Sequence, residues 1–119
     1  MSTIVQYIIV RSDLRTALNW PIGAVIAQCC HAATAVINLN SDDEETVCYL
    51  KDMDNMHKVV LEAKDEGALV KLADKLKENN VKHKMWIEQP ENIPTCIAIK
   101  PYVKDNVHKY VKHLKLLKE

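Results

Sequence analysis

Gln28 and His31 stand three residues apart in the stretch from Trp20 to Thr34. A neutral imidazole can accept a proton, and an amide NH2 can donate to an anion. Turned by about 100° per residue, Ala24, Gln28, His31 and Ala35 share one side of a helix. Ile22, Val25, Ile26, Cys29, Ala33, Val36 and Ile37 share the other, which is expected to pack on a sheet. The small residues around the polar pair leave room for a ligand. Pro21 suits a first helical turn, where its missing N–H has no partner to lose. The N–H groups of Gly23 and Ala24 are expected to lie free just below the pair, open to an anion or a developing oxyanion. The competing reading is an ordinary wet face, which every amphipathic helix needs.

The elements that must hold this helix follow from the rest of the chain. Ile4 to Val10 is an apolar, β-branched run broken only by Gln6, the pattern of a strand buried on both faces. Arg11, Asp13 and Arg15 follow at its carboxyl end, where open α/β sheets gather ligands. Arg15 reads equally as a surface cation. Trp20, preceding a proline, favours extended backbone, either packing at the helix start or stacking on a base. Ser41 and Glu44 form an S-x-x-E capping box for a second helix running to about Met53. His57 to Glu62 is a second strand. Asp65 caps a third helix through about Asn79, with Leu69, Leu72, Ala73 and Leu76 at helical spacing, and Asn79-Asn80 suits a left-handed cap. Val81 to Ile87 is a third strand, Glu88 to Pro94 a short polar loop, and Thr95 to Lys100 a fourth strand. So short a connection requires an antiparallel pair. Val103, Val107, Tyr110, Val111 and Leu114 mark a last helix.

The order β-α-α-β-α-β-β-α predicts an α/β fold, a three-layer α/β/α sandwich around one mixed four-stranded sheet. The first three strands are expected to be parallel and the fourth antiparallel. Residues 1–119 read as one domain, without repeats or a linker.

Sixteen basic and sixteen acidic side chains give zero formal charge, so the whole chain is no electrostatic trap for nucleic acid. Charge is uneven, however. Asp42, Asp43, Glu44, Glu45, Asp52 and Asp54 crowd one segment, and an acidic first turn complements the helix dipole. Lys100, Lys104, Lys109, Lys112, Lys115 and Lys118 crowd the tail, with His108 and His113 among them, as a solvated face or a local phosphate-binding surface. The four cysteines, Cys29, Cys30, Cys48 and Cys96, form no C-x-x-C pair. They point to free thiols in a reducing compartment, here the cytoplasm. No apolar run is expected to be long enough to span a bilayer. Adjacent Cys30 and His31 diverge on a helix, and His108 and His113 are five apart, so neither metal nor cofactor is expected.

The chain resembles the type 2 peptidyl-tRNA hydrolase family, with its nearest likeness to the peptidyl-tRNA hydrolase domain-containing branch. Val10-Arg11-Ser12-Asp13-Leu14 resembles the family's V-R-x-D-L. Gly23 and Ala27-Gln28-Cys29-Cys30-His31-Ala32 resemble its G-K-x-x-A-Q-x-x-H-A helix. Lys58-Val59-Val60-Leu61 with Asp65-Glu66 resembles the second strand and the start of the next helix. Thr95 to Pro101 resembles the fourth strand, and His113 to Leu117 the terminal H-L-K-L-L. The resemblance implies a metal-free esterase that frees tRNA by cleaving the bond between a peptide and the terminal ribose.

In that chemistry His31 would be the base, Gln28 would donate to the oxyanion or orient water, and Glu88 would orient the imidazole. Arg11, Asp13, Arg15, Gly23, Ala24 and Lys100 would meet substrate or RNA. The sequence departs from the family pattern in three places. Ile22 and Ala24 stand where the family has lysines, with Lys100 or Arg11 as replacement cations. The loop D-A-G-x-T-Q-I is shortened to Glu88 through Ile93, with Glu88 in place of the aspartate. The implied partner is peptidyl-tRNA or another tRNA, bound by a monomer or homodimer without a membrane. The alternative is a family member that binds the tRNA end as an adaptor and has lost most catalysis.

Overall fold

Strand β1 (Ile4–Arg11) is the centre on which the other elements assemble. The computed structural model describes residues 3–118. After β1 come a short helix α1 (Asp13–Thr16), the long helix α2 (Ile22–Leu39), α3 (Glu44–Lys51) and a single tight turn at Met53–Asn55. Then follow β2 (Lys58–Ala63), α4 (Glu66–Glu78), β3 (His83–Glu88), β4 (Ile93–Ile99), β5 (Tyr102–Val103), α5 (Lys104–Val111) and β6 (Lys115–Leu116). The strand order is β3-β4-β1-β2-β6, with β5 pairing the start of β1.

The β1–β2 pair is parallel, with Ile9 opposite Leu61. The β1–β4 pair is antiparallel, with Ile9 opposite Ile97, and β3 is antiparallel to β4. The sheet therefore has six strands where four were expected. The additional two, β5 and β6, are two residues long and too short to leave a periodic signal. Both are antiparallel, β5 to β1 and β6 to β2.

Side chains of β1 alternate between two buried clusters, as successive residues of a strand must. Val5, Tyr7 and Ile9 join Leu69, Leu72 and Leu76 of α4 and Val107 and Val111 of α5. Ile8 and Val10 join Leu14 of α1, Val25, Ala32, Ala33 and Val36 of α2, and Cys96 and Ala98 of β4.

Several local expectations are corrected. Pro21 is the N-cap of α2 and not its first helical residue. Asp43, not Ser41, caps α3, its carboxylate accepting from the Thr46 amide at 3.1 Å. An aspartate two residues nearer the helix out-competes the serine. Asp65 caps α4, accepting from the Ala68 amide at 2.9 Å. Asn80 takes the left-handed conformation just past that helix (φ 55°), where asparagine is tolerated.

The face that α2 buries also differs from the periodic reading. Val25, Gln28, Ala32, Ala33 and Val36 are buried, whereas Ile22 and Ile26 are about half exposed. Alanines and cysteines almost encircle this helix, so periodicity does not choose its inner face. Its small residues let it approach the sheet on the Gln28 side. The helix is also, by length and composition, apolar enough to cross a membrane: 18 residues with a mean hydropathy of 1.6. That corrects the expectation that no such run exists. Here its buried side is packed on β1 and β4.

Candidate active site

Burying Gln28 is affordable only because its amide is used. Its Oε1 accepts from the Thr95 hydroxyl at 2.9 Å, and its Nε2 donates to the Ala24 carbonyl one turn back at 3.2 Å. An unpaired buried amide would cost about 1–3 kcal/mol. The expectation that Gln28 stands on an open flank is therefore corrected: it is 2 % exposed and joins α2 to β4.

His31, one turn further along, is exposed, and its ring stacks on the Trp86 indole with centroids 4.6 Å apart and planes 21° from parallel. The indole in turn donates from Nε1 to Glu88 Oε1 at 3.0 Å. Trp86 and Glu88 are two apart on β3, so the pleat puts them on one face. Glu88 is the last residue of that strand rather than the first of a loop, and its position is set by the ladder with β4, opposite Ile93. The Trp86 N–H holds the Glu88 carboxyl below the ordinary glutamate range, helped by the Gln28 amide and the charge of His31 and opposed by desolvation. Gln28, His31 and Glu88 thus lie in one cluster, with Trp86 between the imidazole and the carboxylate.

Thr95 is the member that sequence reasoning missed, and Trp86, which the sequence left open to packing or to stacking on a base, instead joins His31 to Glu88. Thr95 is fully buried and, besides Gln28, reaches the Trp86 carbonyl at 3.4 Å. Its one signal was being the polar residue at the head of an otherwise apolar strand. Beside the Gln28–Thr95 pair, the next residues on the same two elements, Cys29 and Cys96, share the α2-side cluster, and the Cys96 thiol donates to the Ile97 carbonyl at 3.7 Å. The neighbouring thiols push each other's pKa apart, lowering that of Cys29 and, with burial, raising that of Cys96. All four cysteines are free. Among the described residues no group of three His, Cys, Asp or Glu is placed to hold a metal ion.

The other singled-out residues divide by position. Arg11 is buried and committed: Nε and Nη2 each reach the Asp13 carboxylate at 2.9 Å, and Nη1 reaches the Pro94 carbonyl at 3.0 Å. Donating to the Asp13 carboxylate raises the guanidinium pKa further, against desolvation. This pair ties the end of β1 to the start of β4, next to Thr95. Arg15 is exposed near the start of α2, its guanidinium 3.5 Å from the Trp20 carbonyl.

The expectation of two free amides at that start is corrected, because the Ala24 N–H donates to the Pro21 carbonyl at 3.0 Å. Gly23 stands in open space. It lies eight residues before His31, about 12 Å along the axis, so the helix tip is not directly beneath the imidazole.

Lys100 lies apart from the cluster. Because β4 runs antiparallel to β1, Lys100 is at the opposite end of the sheet from Thr95, about 17 Å along the strand. It is buried there between Asp43 at 2.9 Å and Glu45 at 3.0 Å, with Nζ 3.5 Å from the Tyr102 ring centroid.

Comparison with known proteins adds lineage to this geometry. The family model described as "Peptidyl-tRNA hydrolase PTH2" matches residues 4–117. A mouse protein named "Putative peptidyl-tRNA hydrolase PTRHD1" is 50 % identical over 116 residues, covering 97 % of this chain and 83 % of that one. The human protein of the same name is 49 % identical over the same shares. A Dictyostelium discoideum protein named "Probable peptidyl-tRNA hydrolase 2" is 32 % identical over 108 residues, 87 % of this chain and 51 % of that one. Among solved structures, an Agrobacterium protein of unknown function, Atu0240, superposes with a TM-score of 0.66 at 12 % identity, covering 99 % of this chain and 100 % of that one. That likeness concerns the fold alone.

Proposed function

This chain belongs to the peptidyl-tRNA hydrolase PTH2 family, and on that premise we propose that it hydrolyses the ester joining an N-acylated aminoacyl group or peptide to the terminal ribose of tRNA. The observation that carries the reading is the joining of α2 to the β3–β4 edge: Gln28 bonded to Thr95, and His31 stacked on the indole that holds Glu88.

In this mechanism His31 takes the proton of the attacking water, a role worth about 10²–10⁴-fold. Ionised Glu88 stabilises the imidazolium that results. Gln28 and Trp86 act on Glu88 and so position the pair, a different part from the direct oxyanion contact read from the sequence for Gln28. The open start of α2, with Gly23 and exposed Arg15, receives a phosphate of the tRNA 3′ end, since helix N-termini favour anions. Ala24 gives that start its small surface. Arg11 and Asp13 serve as framework, and Lys100 takes no part at this end of the sheet. The free thiols suit a reducing cytoplasm.

The test is turnover of N-acetyl-aminoacyl-tRNA followed as free tRNA. Release above the blank that falls at least ~100-fold in His31→Ala supports the reading. Tight binding without release by the unaltered protein overturns it.

A further inference from the structure

A cavity of about 910 Å³ lies away from the His31 cluster, between α4, the end of β2 and the C-terminal segment. Lys64, Lys71 and Lys75 line one wall, and His113 and Lys115 the other. Lys71 and Lys75 are one helical turn apart and exposed. Ala63, Leu72 and Leu114 contribute apolar lining.

Two carboxylates share this lining, Glu62 and Asp65. Asp65 is occupied in capping α4 through the Ala68 amide. None of the four lysines takes part in an ion pair among the described residues. A chain of zero formal charge thus concentrates unpaired cations in one concave place. Four lysines against two carboxylates leave an excess of positive charge in this lining, which favours a polyanion over a single small anion.

The groove and the His31 cluster lie at the same end of the sheet but on opposite faces, since α4 covers one side and α2 the other. Ala63 is the register partner of Arg11, and Arg11 bonds the Pro94 carbonyl beside Thr95. From β3, which carries Trp86 and Glu88, across β4, β1 and β2 to β6 is four strand spacings, about 19 Å. A ligand touching both places must therefore be extended, pass around that end of the sheet, and be anionic where it meets the lysines. We propose that this groove binds the phosphodiester backbone of the RNA duplex adjoining the ester. The inference rests on the reading of an RNA ester at His31 and adds a second, sequence-independent anchor. A-form RNA is held in this way, through its backbone and shape.

The test uses a labelled RNA hairpin with a single-stranded 3′ end, titrated by fluorescence anisotropy at several salt concentrations. The double variant Lys71→Glu/Lys75→Glu is expected to weaken binding at least ~10-fold at low salt and to reduce the slope of log affinity against log salt by about 2. A control reverses two exposed lysines outside the groove, Lys51→Glu/Lys82→Glu, and is expected to stay within about twofold of the unaltered protein, a change too small to count as a lost phosphate contact. Circular dichroism verifies folding of both variants. In turnover, the groove variant should lower the ratio of kcat/KM for full N-acetyl-aminoacyl-tRNA over a short N-acyl-aminoacyl-adenosine ester.

If the hairpin does not bind the unaltered protein, or binds the groove variant as well as it does the control, the inference is overturned, whatever the turnover shows. If the hairpin binds through the groove but no ester is cleaved, the groove stands and the proposed hydrolysis falls.

Discussion

At the residue scale, Trp86 has two duties that can be separated. Its face carries His31 and its N–H holds Glu88. Trp86→Phe keeps an aromatic face and removes the donor. The largest cause of the depressed Glu88 pKa is then gone, and the carboxyl rises toward its ordinary value. Since the mechanism needs Glu88 ionised, the acid limb of the kcat/KM profile is expected to move to higher pH, while the plateau falls less than in His31→Ala. Linkage has the same sign. A depressed carboxyl contributes stability above its unfolded pKa of about 4.3 and loses it as pH falls through the folded value. The variant should therefore lose less stability on acidification than the unaltered protein. Gln28 and His31 were legible in the sequence as chemical types. Their partners were not, because Thr95 and Trp86 reach them through a strand register that local pattern does not encode.

At the scale of elements, α4 was legible to its caps. Its leucines fall on one narrow stripe, and Asp65 and Asn80 bracket it with specific chemistry. The inner face of α2 was not legible, because a helix rich in alanine and cysteine offers apolar surface nearly all round. Helix α3 shows how capping and burial combine. Asp43 accepts from the Thr46 amide and also pairs with buried Lys100. Desolvation pushes this carboxyl up, but the hydrogen bond from Lys100, the Thr46 amide and the lysine charge together hold it below its ordinary value. Its contribution is present above the unfolded pKa of about 3.9 and is lost as pH falls through the folded one. Asp43→Ala is expected to cost at least about 1 kcal/mol from the cap alone, measured by urea unfolding at pH 7. The difference from the unaltered protein should shrink below about pH 4.

At the scale of the whole molecule, the two clusters share β1 and cannot melt independently. Trp20 and Trp86 pack against the α2 side, whereas α4 and α5 close the other. Tryptophan fluorescence and far-ultraviolet circular dichroism therefore report different parts of the fold. Their urea transitions are expected to coincide in a single cooperative step, and Leu76→Ala, which cuts the cluster without tryptophan, should shift both midpoints together. The α/β class and the strands Ile4–Arg11 and Lys58–Ala63 were readable from apolar runs. The two-residue strands β5 and β6 were not, because pairing at that length is decided by what lies alongside.

The central strand waits long for its second neighbour. One side of Ile4–Arg11 pairs with Lys58–Ala63, and the other must await Ile93–Ile99, roughly ninety residues later in the chain. While it emerges from the ribosome, this protein carries an apolar ribbon with a bare margin, the kind of surface that recruits stray strands. Its safe passage to the native state depends on how briefly that margin stays uncovered.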